Sequence, residues 1–152
     1  MIHRFASRLY QAIKRPKSWL LRSPTPAEYW TWRNVTAHKL FRSRAESLDY
    51  LHWRNSQYLF YEELAPHEGF DEKVIMDYGC GPGHDLVGFI EHSRPTKVYG
   101  LDVSPTSLEE ARQRLLLHDG KCVELVLIKE NDPRLPFSDG SVDYIHSSGV
   151  LH

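Results

Sequence analysis

The stretch Val74-Ile75-Met76-Asp77-Tyr78-Gly79-Cys80-Gly81-Pro82-Gly83-His84-Asp85 leaves this chain little freedom in what it can fold into. Val74, Ile75 and Met76 read as a buried strand, and Leu86, Phe89 and Ile90 follow at helical spacing. Three glycines in five residues then force a tight turn between the strand and the helix. Such a turn lets a ligand approach the backbone without meeting a Cβ atom. The helix start adds unpaired N–H groups and a partial positive charge. Together these suit a carboxylate or the polar part of a nucleotide.

The glycine spacing separates two nucleotide classes. In the dinucleotide fingerprint G-x-G-x-x-G, the third glycine would fall on His84. A nicotinamide-dependent oxidoreductase is therefore disfavoured. Here the spacing is G-x-G-x-G, with Asp77 two residues before the first glycine. This pattern resembles motif I of the class I S-adenosylmethionine-dependent methyltransferases. In that family the turn packs under the amino-acid part of the cofactor and the acid helps hold its amino group. The resemblance assigns Asp77, Gly79, Cys80, Gly81 and Gly83 to the cofactor. Cys80 reads as a small space-filler inside the turn and not as a nucleophile.

Two later segments extend the resemblance. Val98-Tyr99-Gly100-Leu101 reads as a second strand ending in Asp102, 19 residues after Gly83. A carboxylate there can accept both ribose hydroxyls, although dinucleotide enzymes place an acid at nearly the same offset. The run Leu135-Pro136-Phe137-x-Asp139-Gly140-Ser141-x-Asp143, continuing to Ser148-Gly149-Val150-Leu151-His152, is similar to the L-P-F-x-D-x-S-x-D segment of small-molecule methyltransferases. In that family the residue after strand three meets the adenine. Counting back from Leu135 gives Asn131 as acceptor with the Asp132 backbone N–H beside it. The other register makes Asp132 the acceptor, but Pro133 then has no N–H to pair with it. The resemblance is strongest for enzymes of the ubiquinone and menaquinone biosynthesis type and covers residues 73–152. It implies S-adenosyl-L-methionine as cofactor and a small-molecule acceptor. His146 and His152 are the candidates for a general base, which only a poorly acidic acceptor requires. Asp143 reads as fixing the start of strand four.

Around these motifs the rhythm is strand, turn, helix. Ser104 is an N-cap with Pro105 at the first helical position, and Leu108, Ala111 and Leu115 form the buried face. Strand three spans Val123 to Ile128 and strand four Val142 to Ser147. Alternation of this kind implies an α/β fold with a parallel sheet. The resemblance makes it Rossmann-like, with strands one to four in the order 3-2-1-4 and an N-terminal helical extension. The family sheet continues with strands five to seven, so the expectation is a cofactor-binding half, truncated after strand four. An alternative is a non-catalytic cofactor-binding or assembly protein that works with a partner chain completing the fold.

Upstream, residues 27 to about 70 look helical and rich in aromatics, with Leu48, Leu51, Tyr58, Leu59 and Leu64 on one irregular face. They read either as packing on the edge of the α/β core or as a lid over the cofactor. Residues 1–26 carry six Lys/Arg and no acid. A solvated helix or arm, a peripheral contact of residues 1–22 with an anionic membrane surface and an organelle transit peptide all suit that composition. Elsewhere the chain is unremarkable for a one-domain protein: 152 residues, 41% hydrophobic, 26% charged, with formal net charge −1. That balance gives no reason to expect a nucleic-acid partner. No apolar run approaches the roughly 18 residues needed to span a bilayer. Two cysteines suit a reducing cytoplasm better than a disulfide scaffold. The nine histidines show no metal-ligand grouping.

Overall fold

The computed structural model describes residues 22–32, 40–129, 132 and 134–150. The basic arm up to residue 21, Asn131 and His152 lie outside the described residues, as do the readings that rest on them. The elements are helices α1 (Pro26–Trp32), α2 (Arg44–Ser56) and α3 (Tyr61–Leu64), followed by β1 (Val74–Tyr78), α4 (His84–His92), β2 (Lys97–Asp102), α5 (Pro105–Leu115), β3 (Val123–Leu127) and β4 (Tyr144–His146). All four strands lie in one parallel sheet of order β3-β2-β1-β4. This is the order that the resemblance implied. The chain steps outward from β1 to β2 to β3, then returns to the other side of β1. That reversal opens a crevice at the carboxyl ends of β1 and β4, the place where open α/β sheets bind ligands.

Local chemistry explains most boundaries. The Ser104 side chain accepts from the Ser107 N–H, with Pro105 at the first helical position, as expected for the start of α5. Ser43 caps α2 in the same way, accepting from the Glu46 N–H. Asp143 does fix the entry to β4: its carboxylate accepts from the Val74 N–H at 2.7 Å, and its own N–H donates to the Val74 carbonyl at 2.8 Å.

The core sits between α2, α4, α5 and the sheet, with Leu51, Ile75, Leu86, Val87, Phe89, Val98 and Leu108 buried. Two glycines mark its closest approaches. A Cβ at Gly100 would stand 2.7 Å from Leu86 Cδ1, so α4 lies hard against β2 there. At Gly88 the imidazole of His67 occupies the space, 2.6 Å from where a Cβ would be.

The upstream segment differs from the single helical face expected of it. Leu48 and Leu51 do pack on the core. Tyr58, Leu59 and Leu64, however, are 60%, 81% and 80% exposed. The helix stops at Ser56, and Phe60 takes φ 59° before the short α3 begins. Tyr58 and Leu59 lie beyond the helix end, and the left-handed residue resets the phase for Leu64 after it, so none of the three shares the face of Leu51. The last two strands are also shorter than their apolar runs. β3 stops before Ile128, and β4 keeps only Tyr144 to His146, with Ile145 61% exposed. An edge strand pairs on one side, so only its inward register is held.

Candidate functional site

Gly79, Gly81 and Gly83 have φ values of +79°, +53° and +77°. All lie in the left-handed region that other residues enter at a cost. The turn is anchored to the end of β2: the N–H groups of Gly79 and Cys80 both donate to the Leu101 carbonyl, at 2.8 and 2.9 Å. The Gly81 N–H donates to Asp102 Oδ2 at 2.9 Å, and the Ser104 N–H to Oδ1 at 2.8 Å. The turn and Asp102, recognised separately in the sequence, are thus one hydrogen-bonded unit. Burial pushes the Asp102 carboxyl up, against the pull of the backbone N–H groups that it accepts.

Cys80 is buried, and its thiol lies against Gly100. Burial, followed by the nearby Asp77 and Asp102, raises its pKa well above the ordinary value. The thiol is therefore packing material, since a nucleophile needs thiolate. Around the turn the three glycines differ. A Cβ at Gly81 would meet nothing within 4 Å, whereas one at Gly79 would stand 2.3 Å from Val150 Cγ2. The segment after β4 folds over the first glycine and leaves the second open. Ser147 Oγ helps to hold it there, donating to the Tyr78 carbonyl at 3.0 Å.

Asp77 lies near the carboxyl end of β1, 2% exposed, and its Oδ2 has no hydrogen-bond partner. Burial, and secondarily the charge of Asp85, push its carboxyl up; His146 and Arg54 oppose them. A buried carboxylate oxygen without a donor is costly, and an ammonium group would supply both the donor and the charge. The residues therefore fit the amino-acid end of S-adenosylmethionine.

The adenine side is less complete. The Ile128 N–H donates to the Asp102 carbonyl at 3.0 Å, so the chain leaves β3 beside the acid. Asp132 is exposed; its carboxylate accepts from the Arg134 N–H at 3.1 Å, and its own N–H donates to the Lys129 carbonyl at 3.2 Å.

Sequence reasoning missed Asp85, the most heavily bonded carboxylate of the site. Its Oδ1 accepts from Arg54 Nη2 at 2.5 Å and from Tyr61 Oη at 3.1 Å, and lies 2.9 Å from His67 Nε2. Its Oδ2 accepts from Arg54 Nη1 at 3.1 Å and stands 3.5 Å from His146 Nε2. Tyr61 Oη also lies 3.1 Å from Ser148 Oγ, whose hydroxyl can donate to it, tying α3 to the segment after β4. Burial would raise the Asp85 carboxyl, but His146 beside it and its bonds with His67 and Arg54 hold it well below the usual range. An acid in the first turn after a glycine loop is a legible signal. Its partners, drawn from two helices, a loop and the last strand, carry none.

A second polar network fastens α2 to the helix that follows the turn. Arg114 donates from Nε to Ser47 Oγ at 2.7 Å, from Nη2 to the Ser47 carbonyl at 2.8 Å, and from Nη1 to His84 Nδ1. Tyr50 stacks on His84 with ring centroids 5.1 Å apart. Burial, followed by the Arg114 and Arg54 charges, pushes the His84 pKa down to about 3. The position where a dinucleotide fingerprint would place its third glycine thus holds a neutral buried imidazole. No group of three or more metal-ligating side chains occurs among the described residues. Nor, among them, is any helix long and apolar enough to cross a membrane.

Comparison with known proteins adds to this geometry. A family model described as a methyltransferase domain matches residues 76–152. A methionine S-methyltransferase of Zea mays is 33% identical over 85 residues, covering 55% of this chain and 7% of that protein. A malonyl-[acyl-carrier protein] O-methyltransferase of Legionella pneumophila is 28% identical over 94 residues, covering 62% of this chain and 30% of that one. The matched stretch therefore spans well under half of either relative. Among solved structures, a chain of the complex between the Haloferax volcanii Trm112 methyltransferase activator and a methyltransferase superposes with a TM-score of 0.50 at 26% identity. That superposition covers 68% of this chain and 42% of the other.

Proposed function

This chain belongs to the methyltransferase-domain family, within class I of the S-adenosylmethionine-dependent enzymes, and on that premise we propose that it is the cofactor-binding portion of an enzyme that methylates a small molecule. The observation that carries this reading is the buried, unpartnered Asp77 oxygen beside a turn of three left-handed glycines. In this reading Asp77 holds the amino group of the cofactor. The backbone of Gly79, Cys80, Gly81 and Gly83 forms the floor beneath its amino-acid part. Asp102 takes the ribose hydroxyls with lone pairs that its two backbone donors leave free. In this reading Asn131 and Asp132 flank the adenine and offer it a side-chain oxygen as acceptor; the Asp132 N–H, expected from the sequence as the paired donor, is instead spent on the Lys129 carbonyl. When bound, the cofactor supplies an activated methyl carbon, and the protein's part is to hold an acceptor in line with it. In this reading His146, at the carboxyl end of β4 and paired in register with Asp77, takes a proton from that acceptor; His152 is the other candidate.

Titration calorimetry with S-adenosylhomocysteine tests the site. Wild-type chain is expected to bind, and Asp102→Ala to lose at least tenfold in affinity, because a hydrogen bond to a charged group contributes about 1.5–3 kcal/mol. Equal heats for the two proteins would sink the assignment. A second reading, a non-catalytic cofactor-binding or assembly protein working with a partner chain, is favoured by one observation: Ile145 is 61% exposed on the edge strand β4. The Haloferax neighbour, too, is found in a complex with an activator. Under this reading the chain binds S-adenosylhomocysteine as a stable monomer on size exclusion and transfers no methyl group.

A further inference from the structure

Resting on the reading above, we propose that Asp85 is a positioning residue: its carboxylate holds His146 as the Nε2–H tautomer, leaves Nδ1 as proton acceptor, and couples that imidazole to His67. The division of labour between the two carboxylate oxygens supports this. Oδ1 is crowded by Arg54, Tyr61 and His67, whereas Oδ2 receives one Arg54 bond and otherwise faces His146 Nε2. That nitrogen is buried and has no hydrogen-bond partner among the described residues, so Oδ2 is the acceptor it faces at 3.5 Å. Neutralising Asp85 would need Arg54 alone. Two imidazoles and a phenol exceed that need, and one of the imidazoles is accommodated only because Gly88 lacks a Cβ.

The charged and titratable groups around Asp85 come from every packed element. They are Arg54 from α2, Tyr61 from α3, His67 from the loop before β1, Asp77 from β1, and Tyr144 and His146 from β4. Burial alone would lower the His146 pKa, but the Asp85 carboxylate that it faces and the Asp77 charge together raise it, against Arg54. An acceptor X–H gives its proton to Nδ1 and keeps the bonding electron pair on X. The imidazolium that results retains its Nε2–H toward Asp85, whose negative charge stabilises it. His67 lies on the other oxygen, with its ring stacked 6.3 Å from that of exposed His92. The dyad therefore has an inner and an outer imidazole.

Long-range proton–nitrogen NMR of the histidine side chains, recorded through the imidazole titration on the full chain, tests this. The wild type is expected to show neutral His146 as a single Nε2–H tautomer. Asp85→Asn should shift the His146 midpoint downward and mix its tautomers, and Asp85→Glu should restore both in part. His67→Gln keeps the Arg54–Asp85 pair and removes one imidazole from Oδ1, so it should shift the His146 midpoint upward; it decides the matter if Asp85→Asn does not fold. An unchanged midpoint and tautomer ratio across these variants, with only thermal stability altered, would overturn the proposal and make Asp85 a structural anchor. Calorimetry with S-adenosylhomocysteine on the same samples keeps the two questions apart. Absence of binding in wild type removes the methyltransferase reading, while the tautomer result still decides whether Asp85 orients His146.

Discussion

Asp77 shows how one side chain can be costly to the fold and useful to the site. Its folded-state pKa is raised chiefly by burial. The stability it permits is therefore fully present below the ordinary carboxylate value of 3.8 and is lost as pH rises through the folded value. Asp77→Asn keeps the shape and removes the charge. Urea denaturation of the cofactor-free chain should show this variant more stable than wild type at neutral pH, by about 1–2 kcal/mol. The gain should shrink as the buffer is made acidic. The same variant should lose at least tenfold in S-adenosylhomocysteine affinity, because an amide cannot pair with an ammonium charge. A neutral-pH stability loss would mean that Asp77 has an internal partner after all. Asp77 was legible because strand end, acid and glycines stand within a few residues of one another. Asp85 stands in the same window but was passed over, because what distinguishes it is its partners.

At the scale of elements, the seam between α2 and the rest of the molecule is polar as well as apolar. Leu51 enters the core, but Arg114, Ser47, His118 and His84 form the buried lattice behind it. Burial lowers the pKa of both His118 and His84 in that seam, and His84 moves far enough to set a wide pH window. Its pKa falls from 6.5 to about 3 on folding, so within that window the unfolded chain binds more protons than the folded one. Stability therefore rises with pH there and is lost as pH falls. The limiting slope for one group is about 1.4 kcal/mol per pH unit. His84→Asn offers Arg114 an oxygen without a titrating ring. Denaturation midpoints measured through this window should be flatter for the variant than for wild type; parallel curves would assign the slope elsewhere. The elements themselves were largely visible in the sequence. Ser104 with Pro105, Asp143 at the entry to β4 and the apolar rows of α4 and α5 are short-range signals. The phase reset at Phe60 was not, because its left-handed φ reflects packing and has no residue signature.

At the scale of the molecule, β4 is an edge of the sheet among the described residues. Ile145 faces outward there on an edge with unpaired backbone groups, a combination that invites strand addition. Ile145→Lys should reduce self-association in light scattering while leaving S-adenosylhomocysteine affinity unchanged, since Ile145 is in register with Met76 and so projects to the face opposite Asp77 and His146. Lost affinity would show that the edge and the site are not independent. The amino-acid sequence by itself determined the parallel α/β plan, the place of the turn and the place of the acid that closes β2. Each of these depends on backbone freedom or on periodicity within a few residues, whereas the hydrogen bonds that join turn and acid are tertiary. Only the tertiary structure decided that Arg54, Tyr61, His67 and His146 meet at Asp85, that Val150 covers Gly79, and that Arg114 reaches both Ser47 and His84. Those contacts join segments far apart in the chain, and what selects them is the cost of leaving buried charge unpaired, which no local pattern records.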